Sequence, residues 1–384
     1  MSNLLVRVLP PRALKLLASV LPLLFLSGAA HGDVPAPSPF RQAVPGYVYS
    51  FPRDFGSRDD FRVEWWYYTG NLEAEGGSRA FGYQLTFFRV ALEGAEKTVN
   101  PSRWKVDQIY FAHLTLSDLD GGQFHFFERI NRKGLGLAGA DAGSPRVWNE
   151  DWTLDAQGEK HVLKARESGF GLDLELTPLK KPAFHGEDGV SLKGQDAGNA
   201  SHYFSYTRMR TQGRVLLDGK EHKVRGTSWM DREFSSNQLN GGQAGWDWFS
   251  VKLDNGREIM LYQLRLKDGG IDPYSSGSLI LEDDSVRRLA REDFSIASAG
   301  RWTSKHTGIE YPSGWELDIK NPKVRLVVEP DLKDQELYNL RSISGTYWEG
   351  SVSVKGDYAG SAVKGKGYVE LVGYGKALKQ VLPE

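Results

Sequence analysis

The chain comprises 384 residues, 40% hydrophobic and 25% charged with a formal net charge of −1, a globular composition with room for two ordinary domains. No block of Lys and Arg stands out, which speaks against a phosphate-binding surface for nucleic acid. The absence of cysteine removes disulfides, thiolate metal sites, a Cys nucleophile and lipid attachment through an N-terminal Cys, and leaves stability to the packing of 18 Phe, 16 Tyr and 11 Trp.

Arg7, Arg12 and Lys15 precede an apolar run over 16–26 and the small-residue stretch Ser27-Gly-Ala-Ala-His-Gly32. This order predicts a secretory signal peptide over 1–32, too short and wrongly flanked to span a membrane. The expectation is a periplasmic or secreted protein with no spanning segment after cleavage. Removal takes away three basic residues and no acid, moving the formal charge from −1 to −4. The Pro-rich stretch 33–45 reads as a flexible leader.

From Phe61 onward, short aromatic and β-branched runs are separated by Gly, Asp and Asn, and helical periodicity is almost absent. Strands are predicted over 61–69, 81–91, 108–117, 123–129, 162–166, 171–177, 203–209, 214–217 and 223–230. Asp120-Gly-Gly122 and Asp218-Gly219 are hairpin turns, because Gly accepts the positive φ such loops require. Residues 178–201, with four Gly, two Pro and no regular pattern, are placed as a lid. The polar, Gly-rich passage 235–245 is read as an inter-domain crossover. A second strand series covers 246–253, 257–266, 276–281, 315–319, 324–329, 345–354 and 367–374, with Asn255-Gly256 as a turn and one short helix around 332–340.

The two halves begin alike. Trp65-Trp-Tyr-Tyr-Thr-Gly-Asn-Leu72 followed by Tyr83-Gln-Leu85 parallels Trp246-Asp-Trp-Phe-Ser-Val-Lys-Leu253 followed by Tyr262-Gln-Leu264. The Leu-to-Tyr spans differ by two residues, which predicts that both tyrosines keep the same face. Two consecutive antiparallel β-barrels follow from this duplication, over 46–234 and 235–384, in an all-β chain. Barrels of about eight strands are just wide enough for one small ligand.

Gly134-Leu-Gly-Leu-Ala-Gly139 matches a dinucleotide fingerprint but lacks the βαβ setting and is read as a loop. No nucleophile elbow, zincin helix, Walker loop or calcium loop occurs, and the histidines are too scattered to predict a metal site. Chemistry concentrates in Gly226-Thr-Ser-Trp-Met-Asp-Arg-Glu-Phe234, where alternation puts Trp229, Asp231 and Glu233 on one side of a strand. In an apolar cavity, desolvation would raise the Asp231 pKa and make it a proton donor near neutral pH; in an ion pair with Arg225 or Arg89 it would be structural. Glu64 shares a face with Trp66 and Tyr68 and is either a ligand-facing acid or the partner of Arg89 or Arg232. His113, alternating with Phe111 and Thr115, is a candidate for the same cavity, and His202 is a candidate partner of Asp231.

Together, Glu64-Trp-Trp-Tyr-Tyr-Thr-Gly70, Phe81-Gly-Tyr-Gln-Leu-Thr-Phe-Phe-Arg89, Tyr110-Phe-Ala-His113, the Gly226–Phe234 stretch and Gly367-Tyr-Val-Glu-Leu-Val-Gly-Tyr374 resemble the AttH-like "predicted secreted hydrolase" family, related to carotenoid 1,2-hydratases. The resemblance covers about 47–374. It implies a tandem of lipocalin-like β-barrels, a hydrophobic lipid- or isoprenoid-like ligand and no cofactor. Members include cofactor-free hydratases of acyclic carotenoids, and fungal proteins of similar fold assist pericyclic cyclisations. In the hydratases a His-x-Trp pair and a Tyr-x-Asp pair form the site, the Asp as proton donor. The similar positions here are His202-Tyr-Phe204 and Trp229-Met-Asp231, which imply catalytic roles for Asp231 and His202 and ligand contacts from Phe204 and Trp229. The Trp and Tyr of the hydratases are replaced by Phe204 and Trp229.

Overall fold

Residues 39–77, 79–92, 106–196, 198–237, 240–343 and 345–375 are described by a computed structural model of the chain. The signal peptide, and the leader as far as residue 38, lie outside them.

Alternation shapes the first half. The first strands are β1 (Val63–Ala74), β2 (Ala80–Ala91), β3 (Gln108–Asp118) and β4 (Gln123–Arg132). Short strands β5 (Ala138–Ala140), β6 (Arg146–Asn149), β7 (Trp152–Gln157), β8 (Lys160–Glu167) and β9 (Phe170–Pro178) follow. The half closes with β10 (Ala183–Phe184), β11 (Val190–Leu192) and two 18-residue strands, β12 (Ala200–Leu217) and β13 (Lys220–Asn237). In β9, Leu172, Leu174 and Leu176 are buried while Asp173 and Glu175 are not, the period-2 signature of a strand with one wet face. β1 is buried on both faces along 66–70, because one covers the barrel core and the other meets the second half. The strands form one antiparallel sheet in the order β4-β3-β2-β1-β13-β12-β9-β8-β7-β6-β5, nearly closed by a bridge between Lys133 and Ala138.

The second half contains β14 (Gln243–Leu253), β15 (Glu258–Leu266), β16 (Ser276–Ile280), β17 (Val286–Leu289) and β18 (Phe294–Ser298). A small ribbon of β19 (Arg301–Thr303) and β20 (Glu310–Pro312) precedes β21 (Trp315–Ile319), β22 (Val324–Pro330), β23 (Glu336–Leu340), β24 (Gly345–Tyr358) and β25 (Ser361–Val372). Its sheet runs β17-β16-β15-β14-β25-β24-β22-β21-β18, with β23 added to β24. The fold is all-β, two lipocalin-like barrels in tandem. In each half the first strand pairs with both its hairpin neighbour and the last strand, β2 and β13 around β1, β15 and β25 around β14.

Several local expectations are corrected. The helix expected around 332–340 is strand β23, since Glu336 and Leu337 pair with Trp348 and Tyr347. The predicted lid 178–201 carries β10 and β11, both hydrogen-bonded onto β12. Stretches 203–209 and 214–217 join into β12, because Gly213 continues the ladder opposite Val224 instead of breaking it. Gly226–Phe234 lies in the middle of β13, which continues to Asn237. Asp218 and Gly219 both take positive φ, 50° and 77°, as a two-residue type I′ hairpin demands.

Tyr83 and Tyr262 do not share a face. Leu72 pairs with Phe81, nine residues on, whereas Lys252 pairs with Glu258, which puts Leu253 opposite Arg257 only four residues on. The turns therefore differ by an odd number of residues, and one residue of slip exchanges the faces. Tyr83 enters the first barrel core, while Tyr262 joins a cluster between the barrels.

That cluster draws Tyr67, Tyr203 and Trp229 from the first half and Trp248, Tyr262, Leu264 and Tyr368 from the second. Close approach of the barrels depends on Gly82. A Cβ there would lie 2.7 Å from Ser351 Cβ and 2.7 Å from the Tyr368 hydroxyl. Gly82→Val should lower stability by roughly 1–3 kcal/mol through overpacking, read as a lower urea midpoint. An unchanged midpoint would show that the interface yields freely.

Candidate functional site

A cavity of about 690 Å³ lies between the barrels, lined from both. Its walls are mainly aromatic and aliphatic, with Trp65, Tyr67, Phe88 and Phe111 on one side and Trp246, Trp248 and Tyr262 on the other. The volume is that of a pocket for a drug-sized ligand. Strand parity explains which residues arrive. On β1, Trp65 and Tyr67 point into the cavity, so Glu64, Trp66 and Tyr68 must point into the first barrel.

Asp231 sits at the cavity wall, 4% exposed. It lies opposite Tyr67 on β1 and Ser205 on β12. Its carboxyl accepts hydrogen bonds from Trp229 Nε1 at 2.6 Å, from the Tyr203 hydroxyl at 2.8 Å and from the Ser205 hydroxyl. Burial dominates over these three donors and pushes its pKa up to about 7. The Ser205 hydroxyl also meets His185 Nε2 at 2.7 Å, and His185 Nδ1 meets Ser278 of the second barrel at 2.9 Å. Burial lowers the His185 pKa to about 3, so the ring is neutral.

Two further acids, Glu233 and Glu370, line the space, and a third, Glu349, is buried behind it. Glu370 on β25 accepts the Trp246 Nε1–H at 2.9 Å, and burial raises its pKa to about 7. Glu349 lies opposite it on β24, fully buried, and desolvation drives its pKa well above the carboxylate range. Glu233 is paired with Lys193 at 3.1 Å, and Lys193 Nζ stands 4.4 Å above the Tyr262 ring. Lys193 comes from the 178–201 segment, which thus contributes a charged residue to the wall.

His113 lines the cavity. Its Nδ1 meets the Tyr347 hydroxyl and its Nε2 the Ser342 hydroxyl, both at 2.8 Å, and burial lowers its pKa to about 4. It is a neutral, fully engaged ring that ties the barrels together.

The remaining expected site residues lie elsewhere. His202 and Phe204 occupy the face of β12 opposite Tyr203 and Ser205. His202 packs 4.2 Å from the Tyr47 ring, Phe204 5.6 Å from the Tyr49 ring, under the N-terminal segment. The pairing of His202 with Asp231 therefore does not form, and Tyr203, one residue on, makes that contact. Glu64 pairs with both Arg89 and Arg232 and accepts the Arg58 N–H at 3.0 Å, a buried knot that clamps residues 54–62. Tyr68 meets His161 Nδ1 at 2.7 Å in the first barrel, and Trp66 Nε1 donates to Phe55 O at 2.6 Å. Trp229 is beneath the wall and touches the site through Asp231. Residues not anticipated were Tyr203, Ser205, Lys193, Trp248 and Glu370. Alternation along β12 would find the first two and the repeated Trp-to-Leu stretch would find Trp248, whereas Lys193 and Glu370 are placed only by the strand pairing.

Among the described residues no group of three or more His, Cys, Asp or Glu is arranged to hold a metal, and no helix is long and apolar enough to cross a membrane. A comparison with curated proteins finds no match. Among solved structures, one from Nitrosomonas europaea assigned as AttH is 33% identical, with a TM-score of 0.78, covering 87% of this chain and all of that one. Kievitone hydratase from Nectria haematococca is 15% identical with a TM-score of 0.65, over 88% of this chain and 99% of its own. CghA, solved with Sch210972, is 16% identical with a TM-score of 0.52, over 87% and 95%. These last two share the fold. The AttH-like family model matches residues 42–374, and by that match, over most of its length, the chain belongs to the AttH-like family.

Proposed function

We propose that this protein binds a hydrophobic, lipid- or isoprenoid-like molecule between its barrels and adds water across one of its double bonds, with Asp231 as proton donor. One observation carries this reading: a buried carboxyl that keeps its proton to about neutral pH faces a cavity walled by Trp and Tyr. Protonation of an alkene leaves a carbocation, and aromatic π faces stabilise positive charge. An acid with a pKa near the working pH is the efficient donor for such a step. The hydratase name carried by a structural neighbour of the same fold agrees with the chemistry. The positively charged start and apolar run of residues 1–32 support export, so a periplasmic or secreted setting belongs to the same proposal.

The test is native mass spectrometry of the protein purified from its producing cells, followed by incubation of the released molecule with fresh protein in ¹⁸O-labelled water. A hydrophobic, unsaturated ligand that gains one labelled water is the expected result. A ligand recovered unchanged would identify a carrier and sink the enzymatic reading; empty protein would count against both.

A further inference from the structure

Register makes the two repeats equivalent along their first strands: Trp65 corresponds to Trp246, Tyr67 to Trp248 and Thr69 to Ser250. In the first repeat Tyr67 lies opposite Asp231; in the second, Trp248 lies opposite Glu370. Two acids thus occupy the same ladder position, one per barrel, and both line one cavity. Each is held by an indole, Asp231 by Trp229 and Glu370 by Trp246. The second repeat also reaches Asp231 through its first strand. Trp248 donates its Nε1–H to the Tyr203 hydroxyl at 3.1 Å, and that hydroxyl donates to Asp231 Oδ2 at 2.8 Å.

We propose that Glu370 is a second proton-transferring residue of this cavity, the base that takes a proton from water while Asp231 gives one to the double bond. This rests on the reading of the cavity as a site of acid-assisted water addition. The π pair of the alkene takes the Asp231 proton, leaving a carboxylate on Asp231 and a cation on the neighbouring carbon. The water oxygen bonds to that carbon and its proton passes to the Glu370 carboxylate. The product is the alcohol. No electrons are gained or lost, and the one proton of the pair returns from Glu370 to Asp231 through cavity water.

The charge balance around Glu370 supports this division. Facing it are Asp231 and Glu233 from β13, Glu349 from β24, Trp246 from β14, Tyr67 from β1 and Lys193 from the segment after β11. Burial raises Glu370 first, Asp231 and Glu233 raise it further, and Trp246 and Lys193 oppose them. Two facing carboxyls of similar proton affinity hold one proton between them near neutrality, so one serves as acid while the other is a base. Burial, with Glu370 beside it, pushes the Glu349 pKa well above the usual carboxylate range.

Infrared difference titration of the full chain tests the pair without a substrate. Wild-type protein should lose protonated-carboxyl absorbance in two steps around neutrality, and Glu370→Gln should lose one of them. Asp231→Asn should move the remaining step to lower pH, because a neighbouring negative charge is gone. If Glu370→Gln removes no step, Glu370 does not titrate near neutrality, shares no proton with Asp231, and the proposal is overturned, whatever becomes of the hydration reading. With an acyclic isoprenoid that the wild-type protein hydrates, Glu370→Gln should lower kcat about 10²- to 10⁴-fold and abolish the acidic limb of the pH profile. Binding of the neutral fluorophore N-phenyl-1-naphthylamine should be unchanged, and Glu370→Asp should restore part of the rate. A variant that keeps both limbs would mark Glu370 as merely structural and overturn the proposal. Failure of the wild-type protein to hydrate any isoprenoid tells against the hydration reading and with it the base role, while the titration reports separately on the shared proton.

Discussion

Asp231→Asn is expected to lower turnover about 10²- to 10⁴-fold while leaving affinity for the hydrophobic ligand nearly unchanged, the usual contribution of one general acid. Asn has the same shape and can still accept the Trp229 indole N–H, so the cavity wall keeps its form. What it lacks is a proton to give. The same substitution should change stability in a pH-dependent way. In the folded protein Asp231 holds its proton to about pH 7, above its ordinary value of 3.8. Between those limits the folded state binds more protons than the unfolded chain, so this group's contribution falls as pH rises through the window. Above it, the wild-type protein carries a buried carboxylate that the Asn variant does not. At about 1.4 kcal/mol per pKa unit, the variant should gain roughly 4 kcal/mol relative to wild type between acid and slightly alkaline pH. Urea denaturation of both proteins across that range measures the difference. Parallel curves would mean that folding leaves the Asp231 pKa unshifted, and unchanged turnover would remove it from the mechanism.

The second large effect is expected at the Glu64 knot. Arg232→Met should cost about 3–5 kcal/mol, because removing one partner of a buried ion pair leaves the other charge short of compensation. Arg232 is fully buried, lies 4.1 Å over the Trp66 ring and donates to Gly56 O at 2.7 Å besides pairing with Glu64. Arg89 remains beside Glu64, and its Nη2 donates to Phe61 O at 2.5 Å. The loss should appear first in hydrogen exchange of residues 54–62, whose backbone these two arginines and Glu64 anchor. Since Glu64 faces away from the cavity, Glu64→Gln should weaken the fold without altering ligand selectivity wherever the protein is folded. A change in selectivity would contradict that placement.

Much of the fold was legible because alternation is local. Strands such as 81–91 and 108–117 declared themselves by period and by their bounding turns. β5, β6 and β7 did not, being three to six residues long and lacking β-branched runs. The stretch 332–340 looked helical because Glu336 to Leu340 has no clear period of two, and pairing with β24 overrode that weak preference. At the site, Asp231 and His113 could be singled out from local context. His202 could not be judged that way: its faces are set by β12, where Tyr203 and Ser205 turn to Asp231 and His202 turns to Tyr47.

By itself, then, the sequence determined an all-β chain of two similar barrels and placed Trp229, Asp231 and Glu233 on one side of their strand, because a two-residue period assigns faces without reference to distant neighbours. Tertiary structure decided which face of β1 meets the ligand space, putting Trp65 and Tyr67 there and Glu64, Trp66 and Tyr68 in the barrel. It also decided the company Asp231 keeps. Glu370 lies 139 positions further along and Lys193 comes from a segment with no regular pattern. Glu370 reaches the cavity because the barrels pack β1 and β2 against β24 and β25, and Lys193 because β11 pairs with β12; exclusion of water there is what raises the carboxyl pKa values on which the proposed chemistry depends.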